Sequence, residues 1–307
     1  MRDVFVGRLL EIARRDPRVM LITGDLGFGV LDKFAEELPK QFLNAGVAEQ
    51  NMTGLATGLA MEGRIVFTYS IANFPVLRCL EQIRNDACYH AANVKVVSIG
   101  GGFSYGALGI SHHATEDLAI LRSLPDITVT SPGDDWETAE LTEALVNTPG
   151  TCYLRLDKST AGMTARPGEQ FELGRARTVR DGSDLTIITT GGILGAVLKA
   201  AGALALGGVS ARVLSMHTVK PLDSAAILAA CRDTGGILTV EEHTLDGGLG
   251  SAVAEVCMDA GVHPRRFGRV GLTEGFSSIV GSQNYLRAQY GMDEKAIVAR
   301  ARELLAK

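Results

Sequence analysis

The sequence has no CxxC pair, no basic excess and no uninterrupted apolar run of bilayer length. Its five cysteines, Cys79, Cys88, Cys152, Cys231 and Cys257, are an odd count. That argues against a disulfide framework or a cysteine-based zinc site and suits a reducing compartment. Thirty Lys and Arg face 35 Asp and Glu, a net charge of −5, the wrong sign for a nucleic-acid protein. The opening Met1-Arg2-Asp3-Val4-Phe5 lacks a signal-peptide pattern and leads into an amphipathic helix. Residues 191–209 carry one charge, Lys199, but also six glycines. They divide into strand, turn and helix, a buried βα unit rather than a membrane span. The expectation is a soluble cytoplasmic protein that binds neither membrane nor nucleic acid.

Several site signatures are also missing. Gly27-Phe28-Gly29 lacks the third glycine of a dinucleotide fingerprint. Gly191-Gly192-Ile193-Leu194-Gly195 follows a strand and opens a helix, but Arg212 to Met216 stands where the acidic residue belongs. There is no GxxxxGK[ST] P-loop, no HExxH and no GxSxG elbow. The six histidines show no ligand spacing, so a metal site made by this chain alone is not expected.

What is present is alternation. A chain of 307 residues suggests two domains at roughly 150 residues each. Short apolar runs alternate with helical patterns. Strands are predicted at Val19-Met20-Leu21-Ile22-Thr23, at 64–67, 95–99, 127–129 and 152–156, and again at 185–189, 211–215 and 237–240. Helices are predicted over 48–62, 74–90, 116–124, 134–146 (with Asp134 as a cap), 194–206, 225–232, 251–260 and 294–305. Between the two series, residues 157–183 carry Gly, Pro and charge without a long apolar run and read as a connecting segment. The fold class is α/β, with parallel sheets covered on both faces. Such sheets bind ligands beyond the carboxyl ends of their strands. Attention therefore falls on Gly24-Asp25-Leu26, Gly46 to Glu49, Tyr69 to Phe74 and the glycine-dense loop from Gly100 to His113.

Each residue there has two readings. Glu49 is a first-turn glutamate favoured by the helix dipole, or a buried carboxylate that holds a proton against a heterocycle nitrogen. His112 is a capping or solvated histidine, or a binding group on a long loop. Read alone, Phe74 is core and Lys158 is a linker charge.

Taken together, these residues resemble the C-terminal half of the transketolase family, and most of all the separate beta subunit of two-chain transketolases. Gly46-Val47-Ala48-Glu49-Gln50 is similar to the family's glutamate motif, and Ile110-Ser111-His112-His113-Ala114-Thr115-Glu116-Asp117 to its Thr-His-Gln loop. Asp184 to Gly192, Lys220-Pro221-Leu222-Asp223, Glu241-Glu242-His243 and Gly247-Gly248-Leu249-Gly250 are similar to its last domain. The resemblance implies two doubly wound domains: a thiamine-pyrimidine-binding domain over 1–160, a linker over 161–183, and a transketolase C-terminal domain over 184–307. It implies thiamine diphosphate as cofactor. Glu49 would bond the aminopyrimidine ring nitrogen, Ile71, Phe74 and Leu77 would wall the ring, and Asp25 and Leu26 would close over it. His112 would act as a catalytic residue at the substrate's reacting carbon, and Lys158 would meet a sugar phosphate.

Two departures refine the expectation. The family's Mg²⁺-binding Gly-Asp-Gly segment with a later Asn is missing; Asp246-Gly247-Gly248 does not replace it. A partner alpha subunit should then hold the diphosphate and Mg²⁺, with the active site at the interface of an α2β2 assembly. Leu108 stands where transketolases place an acid for a sugar hydroxyl, which points away from the pentose-phosphate pair. The resulting expectation is transfer of a two-carbon ketol unit in sugar or natural-product synthesis. The alternatives are the beta subunit of a 2-oxo acid dehydrogenase, a deoxyxylulose-phosphate-synthase-like carboligase, and a non-catalytic interaction subunit.

Overall fold

Strands that are apolar along their whole length need cover on both faces, and helices supply it here. The computed structural model describes residues 1–273 and 275–306. The first half runs α1 (Arg2–Arg15), β1 (Val19–Thr23), α2 (Asp32–Glu37), β2 (Phe42–Asn44), α3 (Glu49–Met61), β3 (Ile65–Ile71), α4 (Phe74–Leu77) and α5 (Leu80–Gln82). After a π-helical turn (Ile83–Cys88) come β4 (Val94–Ile99), α6 (Asp117–Arg122), β5 (Ile127–Thr130), α7 (Asp135–Asn147) and β6 (Thr151–Leu156). The second half runs β7 (Arg177–Arg180), β8 (Leu185–Thr189), α8 (Leu194–Leu206), β9 (Ala211–Ser215), β10 (Thr218–Lys220) and α9 (Ser224–Asp233). It ends with β11 (Ile237–Thr244), α10 (Leu249–Asp259), β12 (Phe267–Leu272), α11 (Gln283–Gln289) and α12 (Glu294–Ala306). No helix among the described residues is long and apolar enough to cross a membrane.

Two sheets result. The first has the order β10-β5-β6-β4-β3-β1-β2 and the second β12-β11-β8-β9-β7. Both are parallel except for one edge strand each, β10 on β5 and β7 on β9. Each is doubly wound. Phe5, Leu9 and Leu10 of α1 and Leu141 of α7 cover one face of the first sheet. Met52 and Ala56 of α3, Val76 of α4 and Leu118 of α6 cover the other. In the second unit, α8 and α12 pack on one face, α9 and α10 on the other. The first sheet reverses its winding at β1, which pairs with β2 on one side and β3 on the other. That reversal opens a crevice beyond the carboxyl ends of β1 and β3.

The structure departs from the expected elements in several places. Residues 74–90 do not form one helix; they break into α4, α5 and the π-helical turn, with Pro75 in the first turn of α4. The stretch 161–183 is more than a connection, because its Arg177–Arg180 forms β7 on the second sheet. The three-residue strands β2 and β10 were too short to show a periodicity. In β12, Gly268, Arg269 and Gly271 dilute the apolar run. The cap on α7 is as expected: the side chain of Asp134 accepts a hydrogen bond from the Glu137 N–H.

A buried polar seam joins the two units. Phe103, from the loop after β4, enters the second core and stacks on Tyr290 at 5.4 Å. Its N–H donates to Glu242 of β11 at 2.5 Å. Glu242 also accepts from Gln283 at 2.9 Å and from Arg287. Arg155 of β6 donates to the Glu242 carbonyl at 2.9 Å and pairs with Asp117 at 3.3 Å. Gly102 fits this seam because it has no side chain: its φ is +57°, and a Cβ there would collide with Glu242 Oε1. Replacing Arg287 by Met would leave Glu242 buried without its cation. Urea unfolding at pH 7 should then show a loss of about 3–5 kcal/mol; a loss under ~1 kcal/mol would remove the seam from the stability argument.

Candidate active site

Glu49 is the first residue of α3, brought to the carboxyl edge of the sheet by the turn that leaves β2. Gly24 lies against that turn: a Cβ there would be in ordinary contact with Glu49 Cγ, 3.7 Å away. Asn44 ties the two turns together. Its Nδ2 donates to Asp25 Oδ1 at 2.9 Å, and its Oδ1 accepts from the Asp25 N–H at 3.0 Å and the Gly46 N–H at 3.0 Å. Asp25 has a positive φ of 57° and is exposed. Leu26 is half-buried, and its carbonyl accepts from Thr23 Oγ1 at 2.9 Å.

The Glu49 side chain is 6% exposed and forms an ion pair with Arg78, which is 51% exposed. Arg78 Nη1 lies 3.1 Å from each carboxylate oxygen. The Arg78 guanidinium also lies over the Phe74 ring, 4.2 Å from its centroid. The His112 ring meets Phe74 in an edge-type arrangement, with centroids 5.1 Å apart. Tyr105 lies 6.1 Å from His112. Lys158 Nζ stands 3.6 Å above the Tyr105 ring. One continuous row therefore connects Glu49, Arg78, Phe74, His112, Tyr105 and Lys158. It gathers four residues singled out in the sequence and adds two that were not, Arg78 and Tyr105. Arg78 follows Phe74 by one helical turn, a spacing that could have drawn notice. Of the other expected wall residues, Ile71 ends β3 half-buried and packs against the α1/α7 side of the sheet, and Leu77 is exposed at the end of α4.

His112 and His113 point to different tasks. His113 is fully buried. Its Nε2 faces the Gly106 carbonyl at 3.1 Å and so donates to it, which leaves Nδ1 to accept from Ser277 Oγ at 2.6 Å. It anchors the loop. His112 is partly open, with Ser111 Oγ 3.0 Å from its Nδ1. Burial above all, and then the nearby Arg78 charge, lower its pKa.

Beside the row, Met1, Arg2, Tyr105 and Lys158 line part of a cleft of about 420 Å³. Burial and the Arg2 charge lower the Lys158 pKa, as expected for two cations sharing one recess. Arg2 was not singled out in the sequence, where it read only as the start of a helix. Among the described residues, no three His, Cys, Asp or Glu side chains converge as metal ligands.

Comparison with known proteins matches residues 1–163 to the transketolase pyrimidine binding domain and residues 174–297 to the transketolase C-terminal domain. The chain is 38% identical to an apulose-4-phosphate transketolase subunit of Phocaeicola vulgatus, covering 100% of this chain and 97% of that one. It is 36% identical to the 6-deoxy-6-sulfo-D-fructose transketolase subunit SqwH of a Clostridium species, covering 99% and 94%. A solved structure described as a split gene transketolase, inactive beta4 tetramer, superposes with a TM-score of 0.89 at 34% identity, covering 99% of this chain and 97% of that one. Both halves of the fold, in the same order, are thus accounted for, and the chain belongs to the transketolase family as its pyrimidine-binding and C-terminal half.

Proposed function

We propose that this chain is the beta subunit of a two-chain, thiamine diphosphate-dependent transketolase that moves a two-carbon ketol unit between sugar-type substrates. The row from Glu49 to Lys158 on one sheet edge is the observation that carries this reading. Its donor set fits the pyrimidine half of the cofactor: one buried carboxylate, an aromatic face and apolar flanks. The diphosphate and Mg²⁺ fall to a partner chain, in an α2β2 assembly. The solved relative described as inactive in its beta4 form supports that division.

When bound, thiamine diphosphate supplies the nucleophilic carbon and the electron sink. The protein's own residues do the rest. Glu49 would hold a proton at the pyrimidine ring nitrogen. Phe74, Ile71 and Leu77 would offer the ring an apolar wall, and Asp25 and Leu26 the turn at its margin. His112, whose pKa is lowered by burial, can exchange a proton with the substrate oxygen at the reacting carbon. In the adjacent cleft Arg2 is paired with Asp3 at 2.7 Å, and Asp135 and Asp157 also line it, which leaves Lys158 as the cation that would meet a substrate's anionic end. Leu108, 56% exposed and four positions before His112, would offer a sugar hydroxyl an apolar side chain where transketolases place an acid. That favours a specialised substrate over the pentose-phosphate pair.

The tests use the chain assembled with its partner. Glu49→Gln should lower kcat by about 10²–10⁴-fold while leaving assembly intact; a wild-type rate would favour a non-catalytic interaction subunit. Xylulose 5-phosphate with ribose 5-phosphate should give low activity, raised by Leu108→Asp; full wild-type activity defeats the substrate argument. A requirement for pyruvate with release of CO₂ would move the assignment to a decarboxylating relative. The His112 ring, followed by NMR, should titrate below ~6.5, and a midpoint at or above that value would show that burial does not favour its neutral form.

A further inference from the structure

Arg78 makes two contacts that a pyrimidine ring in this site would need for itself. Its Nη1 is 3.1 Å from both oxygens of Glu49. Its Cζ is 4.2 Å from the centroid of the Phe74 ring. The carboxylate lies inside, 6% exposed, and the cation leans in from outside, 51% exposed. A guanidinium is a flat, conjugated N–C–N group whose N–H donors lie in its plane. A 4-aminopyrimidine presents the same kind of flat N–C–N edge. Each can stack on Phe74 while hydrogen-bonding to Glu49, and the two cannot do so together.

We infer that Arg78 is the placeholder of the pyrimidine seat: its guanidinium occupies Glu49 and Phe74 in the cofactor-free chain and gives way when the ring enters. The inference rests on the thiamine reading above and adds a residue to it. Two physical considerations favour the arrangement. A buried carboxylate without a partner is costly, so a chain that waits for both cofactor and partner gains from a temporary cation. Release is also cheap. Arg78 is half in solvent and reaches Glu49 only through the end of a long side chain, so it can swing outward while α4 stays packed through Pro75 and Val76. The consequence is a tax on cofactor affinity, because only the fraction of molecules with Arg78 displaced can accept the ring.

The test is calorimetric titration of thiamine diphosphate with Mg²⁺ into the chain co-purified with its partner. Arg78→Met and Arg78→Gln should bind the cofactor about 3–10-fold more tightly than wild type, the range set by a half-exposed ion pair and a cation–π contact. The difference should narrow at high salt, where the wild-type ion pair is screened. Arg78→Lys, which keeps the charge and loses the planar fork, should fall between. Equal or weaker binding by the Met and Gln variants overturns the inference. If wild type still binds and turns over, the proposed function survives that result. If no form binds the cofactor, both fall. A second readout needs no variant. In the ¹⁵N-labelled wild type, the Arg78 Nε–H signal should move when cofactor is added, and a signal that stays in place overturns the inference.

Discussion

Glu242 is the point on which the geometry of the site depends. Its carboxylate lies at the junction of the two units, 2% exposed, and gathers the Phe103 N–H, Gln283 and Arg287. Without that acceptor, Phe103 would bring an unsatisfied N–H into the second core. With it, the loop after β4 is fixed at its start by Glu242 and at its end by His113, which bonds Gly106 and Ser277. His112 and Tyr105 lie between those anchors. The candidate row is thus built on the first sheet but held in shape by the second unit, which gives the C-terminal domain a mechanical part in a site it scarcely lines.

The sequence disclosed much of this where a residue's neighbours along the chain determine its fate. Val19–Thr23 and Leu185–Thr189 are legible as buried parallel strands because every position is apolar or threonine. The small residues after Glu49 mark a helix packed tightly at a sheet edge. The glycines at 100–102 announce a close approach, though not its partner. Gly102 makes room for Glu242, some 140 residues away, and no local pattern could say so. Short strands such as β2 and β10 exist only because a neighbouring strand is there to pair with them.

The site divides along the same line. Glu49, Phe74 and His112 could be singled out because each follows a strand end, where α/β folds collect ligands. Tyr105 and Arg2 could not, and Arg78 offered only its spacing from Phe74, because their importance lies in what they touch. Arg78 matters through Glu49, 29 positions earlier, and Tyr105 through Lys158, 53 positions later. Family resemblance pointed to the candidate residues. The geometry showed which side chains stand between them.

The edge strand β10 has a consequence for how the protein is made. Thr218–Lys220 belong in sequence to the second unit but pair antiparallel with β5 of the first sheet. Lys220 Nζ also bonds the Arg122 carbonyl at 3.0 Å. The strand covers an edge that would otherwise stay open to another chain. During vectorial synthesis, the N-terminal domain therefore emerges with an unfinished sheet, and it cannot close that edge until a good part of the following domain has left the ribosome. The two units are interlocked in their folding, and a nascent chain stalled between them would present an adhesive border in place of a finished domain.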